Sequence, residues 1–197
     1  TTKGKGSALI KGLDVSSGDF ITILDADAPV SILEVKNFLN FINSNSNFDL
    51  VKTSRHLSNG GSTDLTRFRK FGAKGLAFIA RVIYKVDWTE VCYGFWAIKG
   101  EFYNNLFLSD LKKNFNSIPA SNKIPYGLSF EFDQIIFIRS LIKGGSIIEI
   151  PSFEIARIHG NSSLNAIRDG LRTLKVLLKE NKPVSYTHLR AHETLRY

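Results

Sequence analysis

Two carboxylates one residue apart, Asp25 and Asp27, close the apolar run Phe20-Ile21-Thr22-Ile23-Leu24. A buried strand that ends in Asp-x-Asp delivers hard oxygen ligands to the carboxyl edge of a sheet. There they can hold a divalent cation against a diphosphate, which is the chemistry of sugar nucleotides. On its own the same triplet also ends strands as a plain turn or helix cap. Lys5 stands beside Gly4 and Gly6 at a helix start, within reach of a phosphate, although a lone lysine there serves equally well as an exposed charge.

The elements that must position these groups follow from periodicity. Gly6 to Val15 reads as helix and Phe20 to Leu24 as a buried strand. Ile32, Val35, Phe38, Leu39 and Ile42 recur at helical spacing, and Phe48 to Thr53 reads as a second strand. Ser58-Asn59-Gly60-Gly61-Ser62 reads as a flexible loop. Thr66 to Lys85 is a long helix with Phe68, Phe71, Ile79, Val82 and Ile83 as its apolar stripe, Gly72 and Gly75 for close packing, and Arg67, Arg69, Lys70 and Lys74 as a solvated face. Tyr93 to Ile98 reads as a strand, and Leu108 to Leu128 is long enough for an active-site lid. A helix over Phe132 to Lys143, a strand over Ile147 to Ile150 and a helix from Leu164 to Leu178 complete the pattern. Alternating elements with continuous apolar strands imply an α/β sandwich with a mostly parallel sheet.

The 197 residues suffice for one domain with a substantial core, and no apolar run approaches the roughly 20 residues of a membrane span. A single cysteine, Cys92, excludes an internal disulfide framework and makes a cytoplasmic setting the simpler assumption. The net charge of +8 is scattered, with no recognisable nucleic-acid module. The helical period ends at Lys182-Pro183, and residues 184–197 change composition and read as a non-native or disordered tail, similar to translated sequencing adapter.

Six segments in order carry a more specific signal: Lys5-Gly6-Ser7-Ala8-Leu9, Leu24-Asp25-Ala26-Asp27, Ser54-Arg55, Val91-Cys92-Tyr93-Gly94-Phe95, Glu149-Ile150-Pro151-Ser152 and Arg157 through Leu171. The series resembles the family 2 glycosyltransferases, in particular the bacterial branch similar to dolichol-phosphate mannosyltransferase, over nearly all of Lys5 to Glu180. The resemblance implies a GT-A (Rossmann-like) three-layer fold and inverting transfer of a sugar from a nucleotide-diphosphate donor with Mg²⁺ or Mn²⁺. Family members open with a strand and an acidic segment that hold the nucleobase, so 1–183 is expected to be a catalytic domain lacking that N-terminal part.

Carried over to this sequence, the resemblance makes Asp27 the leading metal ligand and Asp25 its partner, with Lys5, Arg55, Arg157 and Ser162 on the donor. An Arg fork at 157 suits a diphosphate better than a point-charge lysine. Glu131 and Asp133 fall where the family places acidic residues beside the acceptor, with Glu90 as a further candidate base, although a helix N-terminus also favours Glu131 and Asp133. His159 is expected to be structural. Thr53 replaces a family Gly, Glu90 a family Asp, and Ser163 stands where the mannosyltransferase branch carries a basic residue, which argues against naming GDP-mannose as donor. A polyprenyl-phosphate or other acceptor at the inner face of the cell membrane is expected, with no nucleic acid. A sugar-nucleotide pyrophosphorylase and a basic nucleic-acid module remain the alternatives. Filter binding over a salt series checks the second: a glycosyltransferase retains no nucleic acid at physiological salt, whereas a nucleic-acid module shows affinity that falls steeply as salt rises.

Overall fold

The computed structural model describes residues 4–27, 29–45, 47–117, 124–156 and 165–181. Its elements are α1 Lys5–Val15, β1 Phe20–Ile23, α2 Ile32–Ser44, β2 Leu50–Ser54, β3 Gly61–Ser62, α3 Arg67–Tyr84, β4 Trp96–Lys99, α4 Gly100–Asn104, α5 Ser109–Asn116, α6 Phe132–Ile142, β5 Ile147–Pro151, β6 Phe153–Glu154 and α7 Ala166–Lys179. Side chains alternate across the strands and sort the apolar residues into two cores. Ile21, Ile23, Leu50, Trp96 and Ile98 face Ile10 and Leu13 of α1, Phe132, Ile135 and Ile136 of α6, and Val176 and Leu177 of α7. Val51, Phe95 and Ala97 face Phe38 and Ile42 of α2 on the opposite side. The result is the expected three-layer α/β sandwich.

The sheet runs β1-β4-β2-β5. β1, β2 and β5 point the same way, as a mostly parallel sheet requires, but β4 is threaded antiparallel between β1 and β2, so the parallel ladder of this sheet is β2 with β5. The physical reason is the route of the chain. Residues 91–95 return along the carboxyl ends of β1 and β2, where Gly94 abuts Asp25, so β4 must enter the sheet from that end and run backwards.

Other expectations are corrected. Gly61 and Ser62 pair in parallel with Phe153 and Glu154 as a small second sheet, so the expected flexible loop is pinned on one side. Leu108 to Leu128 begins as helix α5, and residues 118–123 of the expected lid lie outside the described residues. Among the described residues a Cβ on Gly72 or Gly75 would meet nothing within 4 Å, so neither glycine packs closely against them; Ala73, Ala77 and Ala80 do, and Phe68, Phe71 and Val82 face outward. Local capping signals behave as their chemistry dictates: Ser31 accepts from Glu34 N at 3.1 Å, Thr66 from Arg69 N at 3.3 Å and Asn165 from Arg168 N at 2.9 Å.

A charge lies on the inner face of β2. Lys52 is 1% exposed, and its ammonium bonds the Glu149 carboxylate of β5 and the Glu90 carbonyl, beneath Trp88 and Phe137. Glu149 also accepts from Thr89 N and Thr89 Oγ1, each at 2.8 Å, and from Glu90 N at 3.0 Å. Burial pushes the Lys52 pKa down and Glu149 opposes that push. Glu149→Gln leaves one acceptor oxygen for the four donors and removes the charge opposite the ammonium, and should cost about 3–5 kcal/mol in urea unfolding. With the folded pKa below the unfolded one, the unfolded chain binds more protons. The variant should therefore regain stability as pH rises towards the ordinary lysine value of about 10.4. A pH-independent loss under 1 kcal/mol would contradict this account.

Candidate functional site

Lys5 reaches its place because α1 begins in contact with another loop. A Cβ on Gly6 would lie 2.8 Å from Leu128 Cα, and Ser7 N donates to Leu128 O at 3.3 Å, so the glycine lets the helix start against that backbone. From there Lys5 Nζ reaches Asp25 Oδ1 and Asp133 Oδ2, each at 2.8 Å. The other Asp133 oxygen accepts from Trp96 Nε1 at 2.9 Å. Four elements thus meet at one ion cluster: the first turns of α1 and α6, the end of β1, and β4. Gly94 completes it, since a Cβ there would collide with Lys5 Nζ and approach Asp25 Oδ2 to 2.8 Å.

Burial and ion pairing oppose each other in this cluster. Burial alone would push the Lys5 pKa down, but Asp133 and Asp25 more than offset it and hold it above the ordinary lysine value. Burial pushes the Asp25 carboxyl up, Lys5 counteracts, and Asp133 and Asp27 reinforce the push. Asp25 and Asp27 lie together on the wall of a cleft of about 650 Å³, which also takes in Lys5 and Asp133 and runs between the N-terminal halves of α3 and α7. Its rim carries Arg69, paired with Asp64 at 3.6 Å, and Arg168, paired with Asp169 at 3.1 Å.

Of the residues singled out in the sequence, Lys5, Asp25, Asp27 and Asp133 come together. Arg55 lines the cleft from another side but is spent on structure: Nε donates to Glu90 at 3.0 Å, Nη1 to Glu154 at 3.0 Å, and the guanidinium stacks 4.6 Å from the Tyr93 ring. Glu90 is fully buried, holds Arg55 and accepts from Cys92 N at 3.0 Å. Glu131 accepts from Gly127 N at 3.1 Å and faces Arg172 at 3.5 Å. Neither Glu90 nor Glu131 is part of the cleft wall. Arg157, Ser162 and His159 lie outside the described residues. Cys92 lines the cleft, yet burial above all, with the Glu90 charge, pushes its thiol up to about 12, so it is no nucleophile at neutral pH.

Three contributors escaped the sequence reading. Glu154 completes the Arg55 network from a residue 99 positions away, so no local spacing could flag it. Trp96 is fully buried, and its indole N–H donates to Asp133, a partner 37 positions away. Gly94 matters through what it omits, and its place beside the Cys92-Tyr93 pair was the available hint.

Among the described residues no group of three or more His, Cys, Asp and Glu is gathered around a metal position. The donor set of Asp25 and Asp27 nevertheless suits Mg²⁺ or Mn²⁺, because such ions are commonly held by one or two carboxylates with substrate phosphates and waters filling the other positions. The carboxylates sit at the strand terminus, on the wall of the cleft, and Asp25 already feels the repulsion of two neighbouring carboxylates that a cation would relieve.

The family model for Glycosyl transferase family 2 matches residues 1–107. Among solved structures, glucosyl-3-phosphoglycerate synthase from Mycobacterium tuberculosis in complex with uridine-diphosphate superposes with a TM-score of 0.59 at 19% identity, covering 91% of this chain and 55% of that one. The same enzyme in complex with Mn²⁺, uridine-diphosphate-glucose and phosphoglyceric acid gives 0.61 at 18% identity, covering 92% and 56%. A mycobacterial protein gives 0.62 at 15% identity, covering 91% and 52%. The chain therefore spans just over half the length of these structures, and the likeness supports the GT-A fold.

The cluster makes a prediction of its own. Gly94→Ala displaces Lys5 from between its two carboxylates, so it and Lys5→Met remove one and the same interaction. Each should cost about 1–3 kcal/mol in urea unfolding, and the double variant should cost little more than either alone. Additive losses would show that Gly94 and Lys5 act independently.

Proposed function

We infer that this chain, which belongs to glycosyl transferase family 2, transfers a sugar from a nucleotide-diphosphate donor with inversion at the sugar carbon. The observation that carries the reading is the convergence of Asp25 and Asp27, at the end of β1, with Lys5 and Asp133 on one cleft. Asp25 and Asp27 would hold Mg²⁺ or Mn²⁺, which when bound neutralises the departing diphosphate. Uridine-diphosphate sugars are the first donors to try, because similar structures are complexes with uridine-diphosphate and with uridine-diphosphate-glucose. Arg157 and Ser162 are proposed to contact the diphosphate on the strength of the family resemblance alone.

In the reaction an acceptor oxygen forms a bond to the sugar carbon as the carbon–oxygen bond to the diphosphate breaks. A hydroxyl acceptor must also lose its proton to a base. Among the three acidic candidates Asp133 alone lines the cleft, and both its oxygens are already engaged by Trp96 and Lys5. Glu90 and Glu131 hold Arg55 and the Gly127 turn. These roles are positional and favour an acceptor that is already an anion, a phosphate such as that of a polyprenyl phosphate. Similar structures are complexes with phosphoglyceric acid and with glycerol 3-phosphate, both phosphate-bearing.

The test uses a uridine-diphosphate sugar and a short polyprenyl phosphate. Asp27→Asn should lower Mn²⁺-dependent transfer by at least about 10²-fold without shifting the thermal midpoint. Unchanged turnover would remove Asp27 from the metal site. Glu90→Gln, Glu131→Gln and Asp133→Asn should each reduce the rate per folded molecule by about tenfold or less, while Glu90→Gln and Asp133→Asn, which break buried ion pairs, lower the thermal midpoint. A loss of about 10²–10⁴-fold in one of them, with a free sugar accepted by the unmodified chain, would replace the phosphate acceptor with base-assisted transfer to a hydroxyl.

A further inference from the structure

The chain's positive charge is scattered along the sequence but not across the fold. Ten of the 26 Lys and Arg lie within 67–85 and 166–179, with one of the 18 Asp and Glu, so α3 with its cap and α7 carry +9 against +8 for the whole chain. These two helices pack side by side, and Tyr84 of α3 donates to Leu177 O of α7 at 2.8 Å.

Helical spacing then separates each surface into rows. On α3 the buried row is Ala73, Ala77 and Ala80, and Phe71, Phe78 and Val82 stand opposite it, 82%, 64% and 64% exposed. Arg67, Lys70, Lys74 and Arg81 form the row beside them. On α7 the outward row is Ile167, Leu171 and Leu178, each more than 60% exposed, next to Arg168, Arg172, Lys175 and Lys179. Two adjacent helices thus expose aromatic and branched apolar side chains with basic rows alongside. Among the described residues no helix is long and apolar enough to cross a membrane.

We propose that the outer face of α3 and α7 docks this protein on an anionic lipid surface, the apolar rows entering the acyl boundary and the basic rows resting on lipid phosphates. Charge decides among occupants. A second copy would bring +9 against +9, which repels. A nucleic acid would satisfy the cations and leave Val82, Ile167, Leu171 and Leu178 without a partner, because aliphatic side chains offer bases no stacking surface. An anionic bilayer supplies both an apolar phase and phosphates. The cleft opens between the N-terminal halves of the same two helices, so docking sets its mouth at the lipid headgroups, where a lipid-linked phosphate would enter. That last consequence rests on the acceptor proposed above; the docking does not.

Sedimentation of the full chain with vesicles tests the proposal without donor or metal. Binding is expected to vesicles of phosphatidylcholine with about one-third phosphatidylglycerol, weakening as salt rises, and not to phosphatidylcholine alone. Phe71→Ser with Phe78→Ser should weaken it about tenfold, and Lys74→Glu with Lys175→Glu by about fivefold or more per charge. Circular dichroism melting confirms folding, and Val82→Ser with Leu178→Ser reads the same face should the first pair melt. Asp27→Asn should bind vesicles as the unmodified chain does, which separates failure of docking from failure of the catalytic reading. Absence of binding to the anionic vesicles, equal binding by all variants, or binding to RNA in place of vesicles overturns the proposal.

Discussion

The ammonium of Lys5, 2.8 Å from both Asp25 and Asp133, is the contact on which the rest of the site depends. Without it two carboxylates would face each other, with Asp27 close by, in a partly desolvated cleft, and like charges so placed cannot all remain ionised. With it, the first turn of α1, the end of β1 and the first turn of α6 are bound to one point. Its requirements reach outward: Gly6 admits α1 to the Leu128 backbone, Gly94 leaves room for the ammonium, and Trp96 fixes the far oxygen of Asp133. Residual negative charge is left at Asp25 and Asp27, on the cleft wall, where a divalent ion and a diphosphate are mutually attractive.

Two buried ion networks brace this arrangement from below. Lys52 with Glu149 joins β2 to β5, and Arg55 with Glu90 and Glu154 joins the end of β2 to the small second sheet. Both use the segment 89–90, whose backbone and side chains bond Glu149, Lys52 and Arg55. That segment leads through Gly94 into β4, so the antiparallel strand and the ion cluster share an anchor. Breaking either network would loosen the chain that carries Gly94 to Lys5 and Asp25.

The legible parts of the sequence were those with local periodicity or local chemistry. Ile32 to Ile42 announced α2, and Phe20 to Leu24 followed by Asp25-Ala26-Asp27 announced a strand ending in carboxylates, because each signal lies within one element. The direction of β4 was not legible, since strand direction depends on the route of residues 85–95 rather than on their composition. Nor were the partners of Arg55, contributed by residues 35 and 99 positions away. The reading of α3 failed differently: its apolar residues occupy more than one face, and periodicity alone could not say that Phe71 and Val82 lie outside while three alanines make the core.

The central claim is that Asp25 and Asp27 form the cation and diphosphate side of the cleft. Crystals soaked with Mn²⁺ and a nucleoside diphosphate, with diffraction recorded at the manganese absorption edge, test it most directly. The account predicts one anomalous peak within coordination distance of an Asp25 or Asp27 oxygen and of the diphosphate, with Lys5 still bonded to Asp133. Diphosphate seated in the cleft with no peak at these carboxylates, or a peak at a different set of side chains, would contradict it.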